Sequence, residues 1–189
     1  MLDAAAAQFR VHGFADTSTE QLCEAAGVGR SSLYNTFTSK DELFVRALER
    51  YIETTGAAQG EVLENIDLDG MARLRGVLDV VLAEEAAAAA NGQAAGCMVA
   101  GSRMTPDLEY RDSRIAHILD RGLEQQISLL AQAVHVGQHD GTIRAGIPIR
   151  DAALLVVSII SGVRVIAQTG SPPEEQRRIA MLSLDALRP

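Results

Sequence analysis

The chain has 189 residues, of which 47% are hydrophobic, 22% charged and only 4% aromatic, with no tryptophan. These values indicate a folded globular protein of one or two domains and exclude a chain that is disordered throughout. The formal net charge is −8. This excludes a protein that coats nucleic acid non-specifically, but it leaves room for a small DNA-binding face.

Cysteine use and hydropathy bear on the location of the protein. Cys23 and Cys97 are too few for a disulfide framework, which indicates a reducing compartment. No signal sequence precedes the first helical pattern, which follows Met1 directly. The longest apolar run, residues 152–168, is too short and too polar for a membrane span. We therefore expect a cytoplasmic protein.

Hydrophobic periodicity, abundant Ala and Leu, and a first proline only at Pro106 predict an all-α fold of about nine helices. The first helix covers residues 2–12 and ends at Gly13, which we expect to be a left-handed cap. The second covers residues 19–26. Ser18 is its N-cap, with a glutamine three residues on that completes a capping box.

The remaining elements follow from the same periodicity and from cap or turn residues at their ends. They are a helix over 30–37, a helix capped by Ser39 that extends to about 66, a turn at 67–70, a helix over 71–90 that ends at Asn91-Gly92, a short apolar segment over 96–104, a long helix over 107–140 that starts at Thr105-Pro106-Asp107, a helix over 148–168 and a last helix over 172–188.

Two short helices joined by Ala26-Gly27-Val28-Gly29 match a helix-turn-helix, in which glycine permits the sharp bend. Leu33 and Phe37 of the following helix are expected to face inward. The other side is then short, polar and suited to a DNA major groove. A solvated helical hairpin without a DNA role is the alternative. The outward-facing residues are Arg30, Ser31, Ser32, Tyr34, Asn35 and Thr36.

A longer pattern runs through the same region without a gap: Leu2-Asp3-Ala4-Ala5, Phe9, Gly13-Phe14, Thr17-Ser18-Thr19, Ala25-Ala26-Gly27-Val28, Leu33-Tyr34, Phe37, Ser39-Lys40 and Leu43-Phe44. With it, residues 2–50 resemble the N-terminal domain of TetR-family transcriptional repressors. The resemblance implies a three-helix DNA-binding domain over residues 1–50 and a helical effector-binding and dimerisation domain over residues 51–189. Beyond residue 50 the chain resembles the family only in helix number and length, and at Gly96-Cys97-Met98, which is similar to the start of the family's sixth helix.

The resemblance also implies roles for individual residues on DNA. Thr19 and Lys40 would contact phosphates, and Arg30 and Ser31 would reach base edges, where arginine matches the two acceptors of guanine. Tyr34 would contact the DNA backbone and a thymine methyl, or else only pack within the domain. Asn35 and Thr36 stand where the family usually has bulkier residues. The full set is Ser18, Thr19, Arg30, Ser31, Ser32, Tyr34, Asn35, Thr36 and Lys40.

Family members usually carry a basic arm before the first helix, whereas only Met1 precedes Leu2 in this chain. Residues 1–50 hold five basic and seven acidic residues. We therefore expect a weak electrostatic contribution to DNA binding, unless the true start lies upstream.

The segment 149–168 is apolar nearly all round, which predicts a helix buried on every side. In a lobe this small, we expect a second subunit to cover part of it. The resemblance implies that the last two helices pair across a twofold axis; a monomeric core is the alternative. The predicted interface set is Leu155, Val156, Ile159, Ile160, Val163, Ile179, Leu182 and Leu187.

The resemblance implies a small-molecule pocket between the fifth, sixth and seventh helices. Methionines would form an adaptable wall, and Tyr or His could orient one polar group. Ordinary core packing is the alternative for each residue. The candidate lining set is Leu78, Cys97, Met98, Met104, Tyr110 and His117.

Two other sites are possible on chemical grounds. Cys97, near a helix start, suits an oxidant or electrophile sensor, or is a small core residue. His135 and His139 have a metal-compatible spacing, but they also suit the C-terminal end of a helix dipole.

The sequence contains no nucleophile elbow, phosphate loop or paired catalytic motif, so we expect no enzyme. We expect a repressor that binds a palindromic operator as a homodimer and is released by a small molecule, without metal, cofactor or membrane. The alternatives are a thiol-based sensor of the same fold acting through Cys97, or a helical interaction module that does not bind DNA.

Overall fold

The computed structural model describes residues 1–90, 96–105 and 107–189. Within these residues the protein has ten α-helices, a short 3₁₀ helix and no strand, so the predicted all-α class is confirmed. The helices are α1 (Leu2–Asp16), α2 (Thr19–Ala26), α3 (Arg30–Thr36), α4 (Lys40–Leu63), α5 (Gly70–Ala90), α6 (Met98–Arg103), α7 (Leu108–Arg111), α8 (Ser113–Asp140), α9 (Ile149–Ala167), α10 (Pro173–Leu184) and the 3₁₀ helix (Asp185–Leu187).

Two sequence predictions fall outside the described residues: the helix end at Asn91-Gly92, and Pro106 as part of a helix start. None of the helices in the described ranges is both long and apolar enough to span a membrane.

The chain folds into two compact units, each built from two separate segments. The first comprises Met1–Thr55 and Ala95–Gly122, and the second comprises Gly56–Ala94 and Leu123–Pro189. Helices α4 and α8 each contribute residues to both units. The family resemblance divides the chain at residue 50 into a DNA-binding part and an effector-binding and dimerisation part. This functional division stays a prediction.

The core of the first unit is organised around three phenylalanines. The rings of Phe9 and Phe14 each pack against the Phe44 ring in a T-shaped arrangement, at centroid distances of 5.0 and 5.1 Å. Gly13 makes this possible because its φ of 74° and ψ of 175° interrupt the helical backbone within α1. The break predicted at Gly13 is present, although this ψ differs from that of a left-handed cap and the helix resumes as far as Asp16. Phe14 is thereby turned back onto the core.

The second unit is held by packing among α5, α9 and α10. Inside it, the guanidinium of Arg164 pairs with the carboxylates of Glu85 and Glu84, at 2.6 and 2.7 Å. A Cβ added at Gly70 would clash with the backbone of Gly137, and one added at Gly137 would meet the side chain of Ile143 at 2.5 Å, so neither position has room for a larger residue. The close approach of Gly70 to Gly137 places the first residue of α5 directly against α8.

The predicted continuous helix over residues 107–140 is wrong, because Asp112 separates α7 from α8. Its backbone is extended, with φ −149° and ψ 113°. The Asp112 carboxylate accepts a hydrogen bond from the Arg114 backbone N–H at 2.9 Å, as an N-cap does, and another from the Arg114 guanidinium at 2.6 Å. This local capping outweighs the apolar periodicity that continues across the break.

The residues of the predicted dimer interface differ in how far the single chain buries them, and the interface itself stays a prediction. Five of its eight residues lie in the core of the second unit itself: Val156, Ile159, Ile160, Val163 and Leu187. Helices α5 and α10 of the same chain cover that side of α9, so burial there needs no second subunit. The predicted residues that remain exposed are Leu155, Ile179 and Leu182, at 37%, 37% and 71%.

Candidate nucleic-acid interface

The entry into α2 is fixed by a capping box, as predicted. The Gln21 backbone N–H donates to Ser18 Oγ at 3.1 Å, and the Ser18 N–H donates to Gln21 Oε1 at 2.7 Å. Two of the four N–H groups that lack a partner at a helix start are thereby satisfied. At the other end, Gly27 adopts the left-handed conformation, with φ 64° and ψ 32°. The turn between α2 and α3 is therefore set by local chemistry at both ends of α2.

Helix α3 is amphipathic in the sense that the sequence predicts. Leu33 and Phe37 are buried, at 1% and 7% exposure. Tyr34 is half-buried. Exposed polar side chains cover the other side, and these are Arg30, Ser31, Ser32, Asn35 and Thr36. The result is a short helix anchored by two apolar residues, with a polar face open to solvent.

Tyr34 links α3 to the first residue of α2. Its hydroxyl lies 3.2 Å from Thr19 Oγ1, and either group can donate the hydrogen bond. The guanidinium of Arg30 lies 5.9 Å from the centre of the Tyr34 ring, within cation–π range. Tyr34 therefore takes part in packing within the domain, and its contact with DNA stays a prediction. Through these two contacts, Thr19, Tyr34 and Arg30, all expected on DNA, lie together on one surface.

Lys40 begins α4, and its Nζ lies 4.5 Å from the centre of the Phe14 ring. Burial lowers the pKa of the Lys40 ammonium below its ordinary value; Asp41 opposes this shift and Arg111 adds to it. Sequence reasoning missed Arg111, whose guanidinium lies 5.3 Å from the same ring. Sequence spacing gave no signal for this contact, because Arg111 is far from both residues along the chain and belongs to the segment that the family resemblance assigns to effector binding and dimerisation.

The sequence of the chain is similar to those of known regulatory proteins. Residues 1–47 match the family described as bacterial regulatory proteins, tetR family. Over 188 residues the chain is 30% identical to the HTH-type transcriptional repressor ComR of Escherichia coli (strain K12), covering 97% of this chain and 85% of ComR. The chain belongs to the TetR family of transcriptional regulators.

Solved TetR-family structures share the fold. A cysteine mutant of the regulator CifR, complexed with 26-base-pair operator DNA, superposes with a TM-score of 0.79 at 24% identity, covering 98% of this chain and 94% of CifR. The regulatory protein TetR from Rhodobacter sphaeroides superposes with a TM-score of 0.85 at 18% identity, covering 100% of this chain and 97% of its own. At these identities the likeness extends to the fold alone.

The candidate residues of the pocket that the TetR-family resemblance implies belong to different units of the structure. Leu78 lies in the core of the second unit, whereas the other five residues belong to the first unit. Met98 is buried, and Cys97 caps α6, its Sγ accepting from the Ala100 N–H at 3.5 Å. The side chains at the remaining three positions face solvent: Met104 at 81% exposure, Tyr110 at 90%, and His117. The lining set stays a prediction, and these three residues do not form a closed wall.

The structure adds no further ligand to the candidate metal site at His135 and His139, and no second thiol partner to Cys97, among the described residues. His135 and His139 are exposed, one turn apart near the end of α8. Across the described parts of the chain, no three His, Cys, Asp or Glu side chains are grouped as metal ligands would be. Cys23 and Cys97 are both free thiols, each partly buried.

Proposed function

We propose that this protein is a transcriptional repressor that binds a palindromic operator as a homodimer and releases it when a small molecule binds. The observation that carries the proposal is the geometry of α2 and α3, where capped ends and two buried anchors hold a polar helix face open to solvent. A helix of this kind fits a major groove. Two relatives support it, since ComR is named a repressor and CifR was solved on operator DNA.

On the operator, we assign Arg30 and Ser31 at the start of α3 to base edges, because N-terminal residues of a recognition helix point into the groove. Thr19 and Lys40 bind phosphates on either side and set the register. Tyr34 supports Thr19 through the hydroxyl contact and lies against the backbone. The remaining members of the set border the same face: Ser18, Ser32, Asn35 and Thr36.

The dimer forms through the exposed apolar residues of α9 and α10. Besides Leu155, Ile179 and Leu182, Leu154 and Val165 of α9 are 38% and 56% exposed. Large apolar side chains grouped on two adjoining helices are typical of a surface that a partner covers. Twofold pairing here would give two copies of α3, as a palindromic operator requires.

Residues 51–189 hold the effector and regulate the spacing of the two α3 helices. Half-sites one helical turn apart place these helices roughly 35 Å from each other, and an effector acts only if it favours another spacing or rigidity. We expect an apolar small molecule, a cytoplasmic location and no catalytic role.

A mobility-shift assay with DNA from the region upstream of the protein's own gene tests the proposal. We expect a discrete complex that unlabelled specific duplex removes and scrambled duplex does not. A broad panel of small apolar compounds, including products of enzymes encoded by neighbouring genes, should contain one that weakens the complex. Absence of any sequence preference would contradict operator binding, and failure of the whole panel would contradict effector release.

A further inference from the structure

Two cations share one aromatic ring at the start of α4. The Nζ of Lys40 and the guanidinium of Arg111 lie 4.5 and 5.3 Å from the centre of the Phe14 ring. Lys40 is the first residue of α4, and Arg111 is the last residue of α7. The fold therefore brings a cation from the second half of the chain to the residue that we expect to hold a DNA phosphate.

The neighbouring Arg114 differs from Arg111 in how fully its charge is balanced. Its guanidinium lies 2.6 Å from Asp112 and 2.8 Å from Glu42, so two carboxylates face one cation. These hydrogen bonds raise the pKa of Arg114 above its ordinary value. Arg114 therefore holds α8 against α4 and presents no surplus positive charge.

Arg111 is only loosely paired. Its contact with Asp41 measures 3.7 Å, and the two side chains are 56% and 47% exposed. An exposed pair at that distance contributes little free energy and is easily exchanged for another partner. Arg111 can therefore turn to an external anion at small cost, whereas Arg114 cannot.

We propose that Arg111 binds the DNA backbone beside Lys40, so that the DNA-contacting surface includes α7 as well as the N-terminal helices. The inference rests on the operator binding proposed above. A phosphate near both cations would relieve their mutual repulsion, and a guanidinium can hold it through two parallel hydrogen bonds. Phe14 keeps both cations on one side of the domain through cation–π contacts.

The charge of the N-terminal region makes such a contact consequential. Residues 1–50 hold five basic and seven acidic residues. A phosphate contact from elsewhere in the chain would therefore add substantially to the small electrostatic contribution to DNA affinity. The logarithm of the binding constant falls linearly with the logarithm of the salt concentration, and each phosphate neutralised makes this slope steeper by about 0.9. A dimer with one Arg111 contact per subunit would gain roughly 1.8 in that slope.

The test compares Arg111→Ala with wild type in DNA-binding titrations over a range of salt concentrations. The probes are duplex from upstream of the gene and a scrambled duplex of equal length. We expect the slope to fall by roughly 1.8 on both probes, with a loss of roughly 10- to 60-fold in affinity at about 0.1 M salt. Arg111→Lys should retain most of the slope because it keeps the charge.

Arg121→Ala is the matched control. Arg121 is exposed on α8, about 12 Å along the helix from its first residue. We expect this variant to keep the wild-type slope. An equal loss in Arg121→Ala would show that general charge is responsible and would overturn the inference.

Asp41→Asn separates direct contact from positioning. If Arg111 acts only by holding Asp41, Arg111→Ala should have no effect in the Asp41→Asn background. If Arg111 binds phosphate, the full loss persists there. An unchanged slope in Arg111→Ala, with wild-type binding intact and Lys40→Ala weakened, overturns this inference alone. Failure of wild type to bind any duplex overturns the proposed function.

Discussion

The guanidinium of Arg30 lies 3.2 Å from the carboxylate of Glu20, so the first residue of α3 is paired with the first turn of α2. The two side chains are 67% and 72% exposed, and pairs of this kind contribute at most about 1 kcal/mol. Arg30 is thus held near its expected working position by a contact that DNA can replace.

Arg30→Ala should weaken binding to the preferred operator by about 1–3 kcal/mol and relax base preference at one position in each half-site. The reason is that arginine reads guanine through two acceptors in the major groove, and alanine offers no donor. Binding titrations against operators with single base changes measure both effects.

Glu20→Gln is the control for Arg30. It removes the charge of the partner but leaves the arginine, so affinity should be retained or increased because one carboxylate near the phosphates is lost. If Arg30→Ala binds with an unchanged base preference, α3 is not the recognition helix in the manner proposed.

The parts of this surface that sequence reasoning predicted depend on local chemistry. Ser18 and Gln21 form a capping box within four residues, and Gly27 supplies a backbone conformation that other residues rarely adopt. The spacing of Leu33 and Phe37 orients α3. Each of these signals lies within one helical turn of the feature it determines, so a single sequence is sufficient.

Contacts that depend on tertiary structure could not be predicted in this way. Nothing in the periodicity marks Asp112 as a cap, because apolar spacing continues past it. The apolar sequence of α9 predicted that this helix is buried. It could not predict which side of the helix is covered by α5 of the same chain and which is left open to a second subunit. Arg111 reaches Phe14 only because the fold brings α7 to α1.

Gly27→Ala should destabilise the protein by about 1–2 kcal/mol, because a side chain is disfavoured at positive φ. Gly27 has φ 64° and no neighbouring atom within 4 Å of an added Cβ, so backbone strain is the cause rather than a clash. Urea unfolding measures the loss.

Gly29→Ser is its matched control. Gly29 is the N-cap of α3 with an ordinary extended φ of −76°, and it also has open space. Serine is a favoured N-cap, so stability should be kept or improved. Equal losses in the two variants would exclude the left-handed turn as the cause.

Leu182→Asp should dissociate the dimer while leaving each subunit folded. Leu182 is 71% exposed in the single chain, so a carboxylate there stays hydrated unless a partner covers it. Sedimentation velocity should then show monomer at micromolar concentrations where wild type is a dimer.

Ile160→Asp contrasts with it. Ile160 is 5% exposed within the core of the second unit, so this change should unfold the subunit at a cost of several kcal/mol. Thermal unfolding followed by circular dichroism separates the two variants. A wild-type protein that sediments as a monomer would contradict the dimer itself.

Asp140, the last residue of α8, caps the start of α5. Its carboxylate accepts hydrogen bonds from the Gly70 N–H at 2.9 Å, from the Thr142 N–H at 2.9 Å and from the Thr142 hydroxyl at 2.6 Å. Burial raises the pKa of Asp140, but the hydrogen bonds from Thr142 and Gly70 outweigh it, so the pKa lies below its ordinary value.

Because the pKa is lower in the folded state, the Asp140 carboxylate adds stability above the unfolded pKa of about 3.9, and that contribution is lost as the pH falls through the folded pKa. Asp140→Asn should therefore be less stable than wild type at neutral pH, by about 1 kcal/mol as for loss of a helix cap. The difference should shrink in acid. Urea unfolding across the pH range measures it, with Asp67→Asn, an exposed carboxylate before α5, as the control. Parallel pH profiles for wild type and Asp140→Asn would show that the charge of Asp140 does not stabilise the start of α5.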